Sequence, residues 1–134
     1  MSDFPANSAI RVELCPSKGA QEFVAAITGF PGEGWRLKDF SLFIVFRGAD
    51  AQGAMGLQRG KFGLEIHTFM LPACRGADAL KAHRRLGAVL KMCGLTSVLA
   101  PVDKSNRACR VMCQAMGVVP EFEEGERIFY RWHL

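Results

Sequence analysis

Hydrophobic and polar positions alternate along this chain with two different periods. Ile10, Val12 and Leu14 are separated by Arg11 and Glu13, the two-residue period of a half-buried strand. After a turn at Pro16-Ser17-Lys18-Gly19, Phe23, Val24 and Ile27 fall at helical spacing, which predicts a helix from Ala20 that Gly29 ends. Pro31-Gly32-Glu33-Gly34 reads as a loop. Asp39 to Arg47 carries Phe40, Leu42, Phe43, Ile44, Val45 and Phe46, an aromatic and β-branched run that predicts a buried strand. A turn at Gly48 to Gln52, a weaker strand at Ala54 to Gln58 and a turn at Arg59 to Lys61 follow, and then an apolar run from Leu64 to Leu71. Three strands joined by short turns predict an antiparallel meander.

From Gly63 to Gly117 the pattern reads strand, turn, helix, strand, helix. The apolar run stops at Pro72. A helical pattern from about Ala77 to Met92 then places Leu80, Leu86, Val89, Leu90 and Cys93 near one side and Lys81, Arg84, Arg85 and Lys91 elsewhere. Thr96 to Ala100 predicts a short strand ending at Pro101. The next helix opens after Asn106, with Asp103 or Ser105 as its N-cap, and stops at Gly117. Two strands joined by a helix form a βαβ unit, whose strands run parallel. Val118-Val119 begins another strand, Glu123-Glu124-Gly125 turns, and Arg127 to Trp132 is the last strand. With no repeat or second hydrophobic unit, residues 1–134 read as one α/β domain, residues 1–8 being a loose arm.

Composition narrows this reading. A chain of 134 residues, 49% of them hydrophobic, suits a single packed core and is too apolar to be disordered. No apolar run approaches the ~18 residues of a membrane helix, and Met1-Ser2-Asp3-Phe4-Pro5 lacks a charged-then-apolar signal pattern, so the expected location is cytoplasmic. Five cysteines without a Cys-x-x-Cys pair indicate neither a disulfide framework nor a zinc site, and no metal is expected. Cys109 and Cys113 share a helix face and read as small buried hydrophobes.

Net charge is +4, and ten of the seventeen Lys and Arg residues fall between Arg75 and Arg131. That balance suits an anionic ligand or a nucleic-acid surface. No nucleic-acid motif accompanies it, so nucleic acid ranks low. Arg75-Gly76 marks a strand-to-helix handover, where free amides and the helix dipole favour an anion. The candidate ligand is a phosphate-bearing cofactor. The plainer reading is an ordinary turn beneath a basic, solvated helix face.

The order of elements resembles the GNAT acetyltransferase fold over most of the chain, most strongly from Leu64 to Val118. In that family a strand leads into a Gln/Arg-x-x-Gly-x-Gly/Ala turn that holds the pyrophosphate of acetyl-CoA. The matching segment is Arg75-Gly76-Ala77-Asp78-Ala79-Leu80, in which Asp78 stands in place of Gly and Leu80 in place of Gly or Ala. Glycine lets a backbone approach phosphates closely, and a carboxylate there repels them unless turned away. The family's Asn, followed eleven residues later by Gly-Phe, is matched by Asn106 and Gly117-Val118. Its frequent Tyr, seven residues after that Asn, is replaced by Cys113. Its general base usually comes from the strand matching Leu64 to Leu71, where Glu65 and His67 alternate onto one face.

The resemblance implies a central mixed, twisted sheet of six to seven strands flanked by three or four helices. It implies acetyl-CoA as cosubstrate and an amine, on a small molecule or a protein, as acceptor. Arg75, Gly76, Ala77 and Ala79 would cradle the phosphates, the backbone of Phe69, Met70 and Leu71 would pair with the pantetheine arm, and Asn106 would join them. Glu65 or His67 would be the base and Cys113 the acid to the leaving thiolate. The plainer readings are a solvated strand charge for Glu65, a satisfied structural histidine for His67, a turn residue for Asn106 and an inert buried thiol for Cys113. The competing reading of the whole chain is a catalytically degenerate protein of this fold acting through a protein interface, in phage assembly or host regulation. The chain also looks like small acetyltransferase-like proteins of tailed bacteriophages. Surplus aromatics (Phe30, Trp35, Phe122, Trp132) leave a homodimer open. In this fold the acceptor pocket comes largely from the early helix and loops, here Gly19 to Leu37.

Overall fold

The computed structural model describes residues 9–30, 36 and 39–134; the arm expected at 1–8, the Pro31-to-Gly34 loop and Trp35 lie outside them. The strands are β1 (Ile10–Leu14), β2 (Ser41–Arg47), β3 (Asp50–Gly60), β4 (Gly63–Met70), β5 (Ser97–Asp103), β6 (Val119–Glu124) and β7 (Arg127–His133). The helices are α1 (Lys18–Thr28), α2 (Ala77–Met92) and α3 (Arg107–Ala115), with a 3₁₀ turn at Pro72–Cys74. All seven strands join one mixed sheet in the order β1-β2-β3-β4-β5-β7-β6. β1 to β4 form the antiparallel meander, β4 and β5 run parallel around α2, and β7 lies antiparallel between β5 and β6. No helix among the described residues is long and apolar enough to cross a membrane.

The strand expected from Asp39 begins at Ser41, and four other expected boundaries move for a local reason. The first helix begins at Lys18, because the Ser17 hydroxyl accepts the Ala20 amide at 3.1 Å and turns Pro16-Ser17 into a cap. The weak strand of the meander is instead eleven residues long and begins straight after a turn at Gly48-Ala49. β5 does not stop at Pro101 but runs on to Asp103, pairing Pro101 with Phe129 of β7. The cap of α3 is neither Asp103 nor Ser105; it is Asn106, whose Oδ1 accepts the Cys109 amide at 3.1 Å.

The sheet is covered on both faces, which is why β2 reads as a continuous apolar run. Phe43 and Val45 join Met55, Ile66, Leu86 and Val98 in the core beneath α2. Leu42 and Ile44 point the other way and join Val24, Phe30, Phe40 and Ala54 beneath α1. A third cluster, Val102, Cys113, Val118 and Tyr130, seats α3. Gly87 lets Trp132 lie against α2, since a Cβ there would stand 2.7 Å from Trp132 Cζ2.

Candidate active site

β4 and β5 share the shortest ladder among the described strands. Their ladder is a single parallel pair, Glu65 with Leu99, whereas β1 and β2 pair at five positions. Past that pair the strands part, and a cavity of about 370 Å³ opens between them. Pro101 lies on the parting stretch. A proline is tolerated inside a strand only where its missing N–H has no ladder partner, and the β4 side of β5 offers such a place. Ile66 belongs to the core beneath α2, while the His67 ring stands edge-on to Phe40 of the core beneath α1, 5.6 Å between centroids. Both line the cavity, so it passes through the sheet.

On one wall stands a His–Glu pair. Glu65 is 5% exposed, so it is not the solvated strand charge that alternation allowed. His67 Nε2 lies 3.2 Å from Glu65 Oε1, with the Gln58 amide 3.4 Å from the same nitrogen. A carboxylate only accepts and an amide nitrogen only donates, so Nε2 donates to Glu65 in one tautomer and accepts from Gln58 in the other. Burial pushes the His67 pKa below its ordinary value of 6.5, opposed by the Glu65 hydrogen bond and charge and aided by the charge of Arg127. The ring is therefore neutral at neutral pH and can take a proton, with the buried carboxylate behind it to steady the imidazolium.

At the end of β4 the 3₁₀ turn hands over to α2. Gly76 has φ 74° and ψ −127°, a backbone that side chains oppose, and it caps the helix without a side-chain hydrogen bond. The first helical bond runs from Leu80 N to Gly76 O at 3.0 Å, so the amides of Ala77, Asp78 and Ala79 precede the ladder and point out of the helix end. Arg75 is steadied there by its Nε, which donates to Met70 O at 3.2 Å. The Ala79 methyl is buried in the core, so Ala79 has only its amide to offer. Asp78 does not confront an incoming anion alone. It is ion-paired with Arg47 at the end of β2, the two side chains being only 20% and 18% exposed. The Arg47 charge offsets the repulsion expected from its sequence position.

The residues proposed from sequence fall into two groups. His67, Phe69, Asn106 and Cys113 line the cavity, with Glu65 behind His67; Arg75, Gly76, Ala77 and Ala79 lie at the α2 start, outside the lining. Not all of the Phe69-to-Leu71 backbone is available to a ligand, because the Leu71 amide donates to Gln52 O at 2.8 Å and Met70 O is taken by Arg75. Cys113 is buried, and burial pushes its thiol up to about 12, which makes it a reluctant proton donor. Sequence reasoning missed His83, Met112, Met116 and Trp132, all of which line the cavity. The available sign for His83 was its place on the inner stripe of α2 with Ala79, Leu86 and Leu90.

No protein-family model matches this chain, and no curated protein matches it. Solved structures do. An IAA acetyltransferase from Bacillus cereus superposes with a TM-score of 0.71 at 13% identity, over 94% of this chain and all (100%) of its own. The PaiA N-acetyltransferase of Thermoplasma acidophilum, solved in complex with coenzyme A, gives 0.72 at 11% identity over 94% and 99% of the two chains. This chain has the GNAT acetyltransferase fold. The N-acetyltransferase PseH of Campylobacter jejuni, in complex with acetyl coenzyme A, gives 0.67 at 13% identity over 93% and 99%. Within the GNAT fold of this protein, the parted strands, the His–Glu pair and the open helix start all belong to the β4–α2–β5 unit and its immediate neighbours.

Proposed function

We propose that this protein is an acetyl-CoA-dependent N-acetyltransferase that passes an acetyl group to an amine. The observation that carries the reading is the cavity through the parted β4 and β5, walled by a neutral histidine backed by a buried carboxylate. The helix start at the end of β4, with three unladdered amides and Arg75, supplies the anion-binding end. Coenzyme A or acetyl coenzyme A occupies the PaiA and PseH structures, which share the fold.

Amide formation from a thioester needs an uncharged amine, a place for its proton and a proton for the departing thiolate. His67 takes the amine proton as nitrogen attacks the thioester carbonyl carbon. Glu65 stabilises the charged form of the ring. Collapse of the tetrahedral intermediate breaks the carbon–sulfur bond, and the thiolate is protonated by the His67 imidazolium or by water. Cys113 holds its proton too tightly, at about 12, to serve readily.

Calorimetric titration with acetyl-CoA tests the reading before any acceptor is known. At ~100 times Kd, binding to the native state alone should stabilise the fold by about 2.7 kcal/mol, seen as a raised Tm. No heat and no shift at millimolar acetyl-CoA would sink the enzyme reading and favour an interaction protein. With a responsive amine in hand, His67→Asn should keep acetyl-CoA affinity while lowering turnover roughly 10²-fold or more.

A further inference from the structure

His83 lies on the inner face of α2, buried, and lines the cavity beside Trp132, whose ring stands edge-on to it at 6.3 Å. Its Nδ1 is 2.7 Å from Ala79 O, one helical turn back. A carbonyl can only accept, so Nδ1 carries the proton and the lone pair falls on Nε2. Nε2 has no hydrogen-bond partner among the described residues, yet it is not sealed in the core as an orphaned atom. Ile66, Met112, Met116 and Trp132 line the same cavity, with Asp103, Asn106 and Arg127 also in its lining. A fixed acceptor in that lining recognises a ligand by the donor it brings.

We infer that His83 is a positioning residue for the cosubstrate, its Nε2 accepting a hydrogen bond from a secondary-amide N–H of the ligand that fills the cavity. This rests on the acyl-CoA reading above. The donor class follows from the lone pair on Nε2. Thioester, phosphate and carboxylate groups offer only acceptors, so none of them can bond to it. A secondary amide brings a neutral N–H flanked by methylenes, and the pantetheine arm of acetyl-CoA contains such amides. One directional bond on a rigid helix fixes how far the arm slides along the cavity, and so where the thioester stops relative to His67.

The test uses acetyl-CoA with the wild type, His83→Leu and His83→Gln, together with the ¹⁵N-histidine spectrum of the wild type. His83→Leu should weaken acetyl-CoA by about threefold to tenfold, the worth of one hydrogen bond. His83→Gln, whose side-chain oxygen can accept from a similar reach, should recover part of that loss. In the wild type, the Nε2 resonance should move upfield on adding acetyl-CoA or pantetheine, while Nδ1 stays protonated; adenosine 3′,5′-bisphosphate should leave Nε2 unmoved. Unchanged affinity in His83→Leu with a stationary Nε2 resonance, in a wild type that binds acetyl-CoA, overturns this inference alone. A wild type that binds no acetyl-CoA overturns the acyl-CoA reading and this one with it. If His83→Leu does not fold, the wild-type spectrum decides.

Discussion

At the scale of single residues, the His–Glu pair exists because two side chains on β3 are missing. Gly56 faces His67 across the ladder, and a Cβ there would lie 2.5 Å from Phe30 Cζ and 2.7 Å from Phe40 Cδ1. A Cβ on Gly60 would fall on the Glu65 carboxylate. Glycine weakens a strand when judged by propensity, which is why this stretch reads as the poorest of the meander, although it is the longest strand. Gly56→Ala should therefore cost about 1–3 kcal/mol, as overpacking does, and should lower turnover by displacing the Phe40 ring from His67. Urea denaturation checks the first effect, and an unchanged midpoint would show that the rings have room to spare. Cys113→Ala should behave in the opposite way. It removes a sulfur from the cluster beneath α3, so it should cost about 1 kcal/mol and leave turnover unchanged. A drop of 10²-fold on that substitution would restore the thiol as the acid.

Among the elements, α2 shows what periodicity reveals and what it leaves out. Its span from Ala77 to Met92 and its basic outer face were legible, because a 3.6-residue stripe is local information. The parallel pairing of β4 with β5 was legible for the same kind of reason, through the length of the connecting helix. The partner of Asp78 was not, since Arg47 is thirty-one positions away and only the fold brings the two together. Nor did local pattern show that β5 continues through Pro101, because a proline ends a strand only if its missing donor was needed. The Asp78–Arg47 pair carries its own expectation. Both side chains are about four-fifths buried, so solvent replaces a lost partner poorly. Asp78→Asn should cost on the order of 1–3 kcal/mol, well beyond a surface ion pair. Replacing both with apolar residues should cost less than the two single changes added together. A double-mutant cycle in urea measures the coupling, and additivity within about 0.5 kcal/mol would mean that the pair is solvated after all.

For the whole molecule, the groups that build the cavity also set how stability responds to pH. His67 and His83 both titrate below the ordinary 6.5, burial being the larger cause in each. Below that value an unfolded chain binds protons that the folded one refuses, so stability is full above 6.5 and falls as pH drops towards the folded pKa values. Each histidine can contribute a slope of up to about 1.4 kcal/mol per pH unit within that window. The cysteines act with the opposite sign. Cys74, Cys109 and Cys113 are all raised from 9.0, mainly by burial, and Cys113 reaches about 12. Above 9.0 the unfolded thiols ionise while the folded ones hold their protons, so stability falls again as pH rises. The stability profile should thus be a plateau with two shoulders, an acid one owed to the histidines and an alkaline one owed to the thiols. Urea midpoints measured from about pH 5 to about pH 10 trace it. His83→Gln should flatten the acid shoulder and leave the alkaline one alone, whereas Cys113→Ala should do the reverse. An acid shoulder equally steep in His83→Gln would mean that burial does not hold the His83 pKa down and that other groups set the shoulder.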